Sequence, residues 1–188
     1  MTERAIGSNR SEQERGVSGA SWRGFRKLFE KEIGGWIGTR MVWQQPVIWL
    51  VVILGPMTLP LYLMRDLFLV EADGILPVAI EMFTSLAALG PAIGAIVLMQ
   101  GSIIAERQLG TAAWVLSKPV SRSAFYLAKL TAHGVALLLA ALVIPGAGAY
   151  AMLSAEVSGS IPVGPFLAAM GVAALNIGFY LALTLALG

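Results

Sequence analysis

Residues 41–64, MVWQQPVIWLVVILGPMTLPLYLM, contain no Asp, Glu, Lys or Arg. A helix needs about 20 apolar residues to cross the hydrocarbon core of a bilayer, and this run is long enough. Three more charge-free stretches follow it: Met82 to Ala105, Leu130 to Ala155 and Val157 to Gly188. Between them these four stretches account for most of the 188 residues. The alternative is a soluble domain with four buried helices. Helices in globular proteins average only about 11 to 12 residues, which argues against it. The fold class predicted is all-α: an integral membrane helical bundle with four transmembrane helices.

Composition agrees with this reading. The hydrophobic share is 57%, the charged share 13% and the mean hydropathy +0.76, whereas soluble domains carry roughly 25% charged residues. Cysteine is absent, so there is neither a disulfide framework nor a thiolate metal site. The pI near 9.2 does not point to nucleic acid, because the basic residues gather at the ends of the apolar runs, where they meet lipid headgroups.

Working outward, residues 1–20 are polar and aperiodic and read as a disordered cytoplasmic tail. No apolar run lies early enough for a cleavable signal peptide. Residues 21–40 form an amphipathic segment in which Trp22, Phe25, Phe29, Ile33 and Trp36 recur at helical spacing, with Arg23, Lys27, Glu30 and Lys31 elsewhere on the wheel. It is expected to lie along the membrane, with Trp22, Trp36 and Trp43 in the headgroup layer and Gly34, Gly35 and Gly38 supplying a bend. The transmembrane domain then occupies 41–188, with spans at about 45–64, 83–105, 128–152 and 165–188. Pro56, Pro60, Pro91 and Pro145 lie inside spans and favour kinks. Gly90 and Gly94 make a small-xxx-small pair that lets another helix approach.

Basic residues set the orientation. Arg4, Arg10, Arg15, Arg23, Arg26, Lys27, Lys31 and Arg40 precede span one, and Arg107, Lys118, Arg122 and Lys129 lie between spans two and three. Arg65 alone falls on the other side. The N-terminus is therefore expected in the cytoplasm, together with the loop between spans two and three. No basic residue follows span four, so the chain reads as a truncated protein.

That loop, with its flanks, is residues 103–130, IIAERQLGTAAWVLSKPVSRSAFYLAKL. Glu106 to Leu116 suits a short helix with Leu109, Ala113 and Leu116 on one face. Pro119 ends it by disfavouring helical geometry at Lys118, and Ser121 is a fitting N-cap for a helix starting at Arg122. Helix, tight turn and helix are thus expected at the membrane surface.

These residues resemble the signature of permease subunits of the ABC-2 class. The signature has an acidic residue, a Gly-Thr pair, a Leu-Ser-x-Pro-Val-Ser-Arg string and a downstream lysine, found here as Glu106, Gly110, Thr111, Leu116 to Arg122, and Lys129. The resemblance implies that 106–122 is a coupling loop docking on a separate ABC ATPase, or nucleotide-binding, subunit. The contacting residues would be Glu106, Leu109, Gly110, Thr111, Trp114, Leu116, Ser117, Pro119, Val120, Ser121 and Arg122. It further implies that the segment from Trp22 to Trp36 is the family's interfacial elbow helix, and that the protein exports its substrate from the cell as a multi-pass protein of the plasma or inner membrane. A second permease half, as in a homodimer, completes the pathway. Family members usually have six spans against four here. ATP and Mg belong to the partner subunit, since no Gly-x-x-x-x-Gly-Lys-Ser/Thr loop is present.

The remaining polar residues carry less. Glu81, near the outer end of span two, suits the mouth of a pathway or simple exposure. Gln100 and Asn176 suit a cavity lining or helix-to-helix hydrogen bonding. His133 is the only histidine and cannot build a common zinc site alone; packing explains it more simply than a proton relay. The sequon at Asn9 sits in the cytoplasmic tail, and the glycine-rich run at Gly146 lies inside a span with no strand before it. Two other readings remain: a non-transporting membrane scaffold or assembly factor, and an intramembrane hydrolase, for which only His133 with some serine is available.

Overall fold

The computed structural model describes residues 24–63, 75–108, 121–156 and 161–187. Helix α1 covers 24–37. Helix α2 is Met41–Thr58 and runs on into a π-helical turn, Leu59–Leu63. Helix α3 is Ile75–Gln108, α4 is Arg122–Leu138, α5 is Ile144–Glu156 and α6 is Val163–Leu187. A second π-helical turn, Leu139–Val143, joins α4 to α5. Among the described residues, four helical stretches are long and apolar enough to cross a membrane: Met41–Leu63, Pro77–Ala105, Ser123–Glu156 and Val163–Leu187.

The outside of this bundle is apolar. Trp43, Leu175 and Leu187 are 77%, 77% and 81% exposed, an arrangement that lipid, not water, accommodates. Its inside is built on a four-residue repeat. Helix α2 buries Trp49, Ile53 and Met57, and its π-helical continuation Leu61, while α3 buries Ala79, Phe83, Ala87, Pro91, Ala95 and Met99. Small and large side chains alternate along this face of α3. The most extensive helix contact is between α3 and α6, which contributes Ala173, Ile177, Leu181 and Leu185.

The prolines do not break the spans. A proline cannot donate to the carbonyl four residues earlier, and its ring crowds that carbonyl. At Pro60 the orphaned acceptor is the carbonyl of Pro56, and the N–H of Leu59 turns to it instead. Ahead of Pro145 the N–H of Ile144 reaches back five residues to Leu139, a widened turn that gives the proline ring room. Helix α3 is continuous through Pro91. Three residues before it, Asn176 Nδ2 of α6 donates to the Ala88 carbonyl at 2.8 Å, next to the Ala87 carbonyl that the proline leaves without its helical donor. Pro60, Pro91 and Pro145 are all buried, so the carbonyls they free face protein rather than lipid.

The Gly90 and Gly94 pair does admit a neighbour, and what enters is a ring. The indole of Trp49 lies in the notch: a Cβ on Gly90 would sit 3.1 Å from its Cζ3, and one on Gly94 would overlap the ring. The indole N–H is satisfied within α2 by Gln45 Oε1 at 3.0 Å. The bend between α1 and α2 falls at 38–40, while Gly34 and Gly35 stay helical. Thr39 Oγ1 donates to the Gly35 carbonyl at 2.7 Å there. A Cβ at Gly38 would lie 2.9 Å from the Gly34 carbonyl oxygen, so close approach demands that glycine.

Gly94→Val is expected to destabilise the bundle by about 1–3 kcal/mol through overpacking. Thermal melting in detergent checks it: the melting temperature falls in the single variant and partly recovers when Trp49→Leu is added.

Candidate functional site

Glu106 is in the last turn of α3, and Arg122 is the first residue of α4. Ser121 caps α4 as its sequence suggests: the residue is extended, and its hydroxyl accepts from the Ala124 N–H at 3.1 Å. Ser123 Oγ lies 3.1 Å from the same hydroxyl. Residues 109–120, with Leu109, Gly110, Thr111, Trp114, Leu116, Ser117, Pro119 and Val120, lie outside the described residues, as do the tail expected at 1–20 and Trp22.

Between the flanking helices and α1 is a polar cluster that the sequence did not announce. The Lys129 ammonium is 3.2 Å from Glu32 Oε1, with the two side chains only 3% and 13% exposed. It also donates to Ser102 Oγ at 2.6 Å and stands 5.8 Å from the centroid of the Phe125 ring. His133 Nδ1 is 3.1 Å from the Lys129 carbonyl; a carbonyl only accepts, so this nitrogen carries the proton. The second carboxylate oxygen of Glu32 is 4.0 Å from the same nitrogen. Trp36 packs edge-on against the His133 ring, with centroids 6.0 Å apart.

Three elements therefore meet at one charge: α1 through Glu32 and Trp36, α3 through Ser102, and α4 through Lys129 and His133. Ser102 precedes Glu106 by about one helical turn, and Lys129 follows Arg122 by about two. Trp36 is buried against α4, whereas Trp43 is exposed at the start of α2. A signal for Glu32 existed in the sequence. It stands three residues after Phe29 and four before Trp36, on the apolar stripe, where an acid requires a buried partner.

Glu81, Gln100 and Asn176 are not brought together. Glu81 is exposed beside a groove of about 320 Å³ lined by Pro56, Val78, Met82, Ser85 and Leu86. Gln100 is exposed at a groove of about 220 Å³ between α3 and α6, with Ile96, Tyr180, Leu183, Thr184 and Leu187. Asn176 is committed to the Ala88 carbonyl. At the opposite end from Ser121, Phe166 stacks on Phe83 with centroids 5.4 Å apart and meets Tyr150 edge-on at 5.2 Å. The Tyr150 hydroxyl donates to the Ile161 carbonyl at 3.2 Å, closing that end.

Four apolar spans with a capped segment between the second and third match a known family over residues 10–188, that of the ABC-2 family transporter proteins. The chain belongs to the ABC-2 transporter family. It is similar to the probable ABC transporter permease protein NosY of Pseudomonas aeruginosa, 34% identical over 113 residues, which are 59% of this chain and 41% of that protein. The aligned part thus spans about two fifths of the relative's length. No solved structure matches the chain. Membership makes this a multi-pass membrane protein, a membrane component of an ABC-2 permease and not a catalytic subunit.

Ser121→Ala is expected to weaken the start of α4 by about 1 kcal/mol, roughly a fivefold change in local opening. Hydrogen exchange in nanodiscs reads this at the Ala124 amide. Ser121→Asp, which keeps an acceptor, leaves that amide protected.

Proposed function

We propose that this chain is the membrane-spanning permease subunit of an ATP-driven ABC exporter, and that it couples ATP hydrolysis by a separate ATPase subunit to substrate translocation. The observation that carries this is the motif from Glu106 to Arg122, together with its flanks. The segment leaves a long helix that packs on α2 and α6, and it re-enters through a side-chain-capped helix start. A displacement applied to it is delivered to spans two and three together.

On this reading the division of the chain is functional. Residues 1–20 are a cytoplasmic tail, 21–40 an interfacial helix, 41–188 the transmembrane domain and 106–122 the coupling loop. The N-terminus is cytoplasmic in the plasma or inner membrane, supported by twelve of the 13 Lys and Arg lying on one side. The ATPase subunit binds ATP and Mg, and a second permease half, as a homodimer, completes the path. Transport follows alternating access driven by rigid-body motion of the partner. The ATPase must therefore contact the two states differently, because a partner that binds both equally shifts nothing.

Two experiments test this. The chain has no cysteine, so Ser117→Cys is a unique label site. It should resist a membrane-impermeant maleimide in intact cells and react in inverted vesicles; reaction from outside intact cells refutes the topology. Glu106→Lys and Gly110→Trp should each reduce the change in ATPase rate on assembly by tenfold or more, measured with the purified ATPase subunit on reconstituted permease. Wild-type modulation in both removes the loop's role.

A further inference from the structure

The cluster around Lys129, the signature's downstream lysine, lies outside the 106–122 loop that docks on the ATPase in this reading, yet its geometry bears on how a push would travel. Its ammonium is held from two sides, by the Glu32 carboxylate at 3.2 Å and the Ser102 hydroxyl at 2.6 Å. Those groups belong to α1 and α3, while the lysine belongs to α4. Most other buried side chains of α4 are alanines or leucines, such as Ala128, Ala132 and Leu137, and apolar contacts of this kind permit sliding. A buried ion pair does not, because separating it leaves a charge uncompensated in a low-dielectric surround. Trp36 against His133 adds a second contact between α1 and α4, one turn further along each helix.

We propose that Glu32, Lys129 and Ser102 are positioning residues of energy coupling: they lock α1 to the two feet of segment 106–122, so that the surface helix and both feet move as one body. This rests on the coupling role proposed above. When the lock is open, the segment still docks and still displaces α3 and α4, but α1 is left behind.

The test uses the complete transporter with its ATPase subunit in nanodiscs. Spin labels are placed pairwise at Lys27→Cys, Leu127→Cys and Leu175→Cys, all exposed positions of a cysteine-free chain. Distances are read without nucleotide and after trapping with Mg-ATP and vanadate. In the wild type, the distance from 27 to 127 is unchanged on trapping, while those from 27 to 175 and from 127 to 175 both shift. In Glu32→Gln, the shift from 27 to 175 falls below half its wild-type size, the shift from 127 to 175 persists, and the ATPase subunit co-purifies at wild-type stoichiometry. Lys129→Arg alone, which keeps the charge beside the intact Glu32, retains wild-type behaviour.

Ser102→Ala removes only the hydroxyl and gives a smaller loss of the same kind; it decides the matter if Glu32→Gln does not assemble. A full 27-to-175 shift in the variant that decides, or a wild-type 27-to-127 distance that changes on trapping, overturns the proposal. If trapping leaves the wild-type distance from 127 to 175 unmoved, the coupling reading itself fails, and the lock falls with it.

Discussion

An ammonium group at the end of a membrane span has to be answered by a counter-charge from the protein, and in this chain the answer comes from a residue 97 positions away. A charge at the centre of a spanning helix costs about 2.5–3.5 kcal/mol or more, and breaking a buried ion pair by removing one partner costs about 3–5 kcal/mol. An aromatic contact such as that of Trp36 with His133 contributes about 0.5–1.5 kcal/mol beyond its area. Leaving either charge unpaired at this buried site would cost more than the aromatic contact contributes, so Lys129 and Glu32 are held together, and Trp36 packs one turn further along α1.

Within the bilayer a different constraint rules. Lipid tails are as apolar as leucine, so spans gain little from hiding hydrophobic surface and depend on close fit and internal hydrogen bonds. Helix α3 meets this with its alternation of Ala79, Phe83, Ala87, Pro91, Ala95 and Met99. The Gly90 and Gly94 notch takes the Trp49 ring, and the Asn176 amide supports the turn next to Pro91. The same economy explains why Pro60, Pro91 and Pro145 are buried: each frees a carbonyl that only protein can satisfy at that depth.

The sequence was a good guide wherever a single helix decides the matter. Runs without charge mark the four spans, because crossing a bilayer is a property of one segment. Ser121 was legible as a cap since its acceptor role depends only on the three residues after it. Pro60 and Pro145 were legible as disturbances but not as π-helical turns, because that outcome depends on which neighbouring N–H re-pairs. Gly90 and Gly94 announced a close approach without naming Trp49. Least legible was the polar cluster. Its type assigns Glu32 to the outside, while its place on the helical wheel between Phe29 and Trp36 puts it inside, and neither view names Lys129. The grooves beside Glu81 and Gln100 likewise arise from how helices lean together, which no single stretch encodes.

The two kinds of contact divide the bundle in a way that bears on motion. At the Ser121 end, α1, α3 and α4 are joined by directional, charge-bearing contacts that tolerate little displacement. Through the middle, α3 meets α6 along a seam of alanines alternating with larger side chains, where a small rotation exchanges one apolar contact for another. At the far end, Phe83, Tyr150 and Phe166 make a second fixed cluster. A bundle that is stiff at both ends and smooth between them is suited to tilting rather than to sliding. In the proposed mechanism, force from an ATPase subunit enters at the stiff end beside Ser121. The spans would then pivot about the aromatic cluster, so that the largest excursion falls on the side of the motor and the least at Phe166.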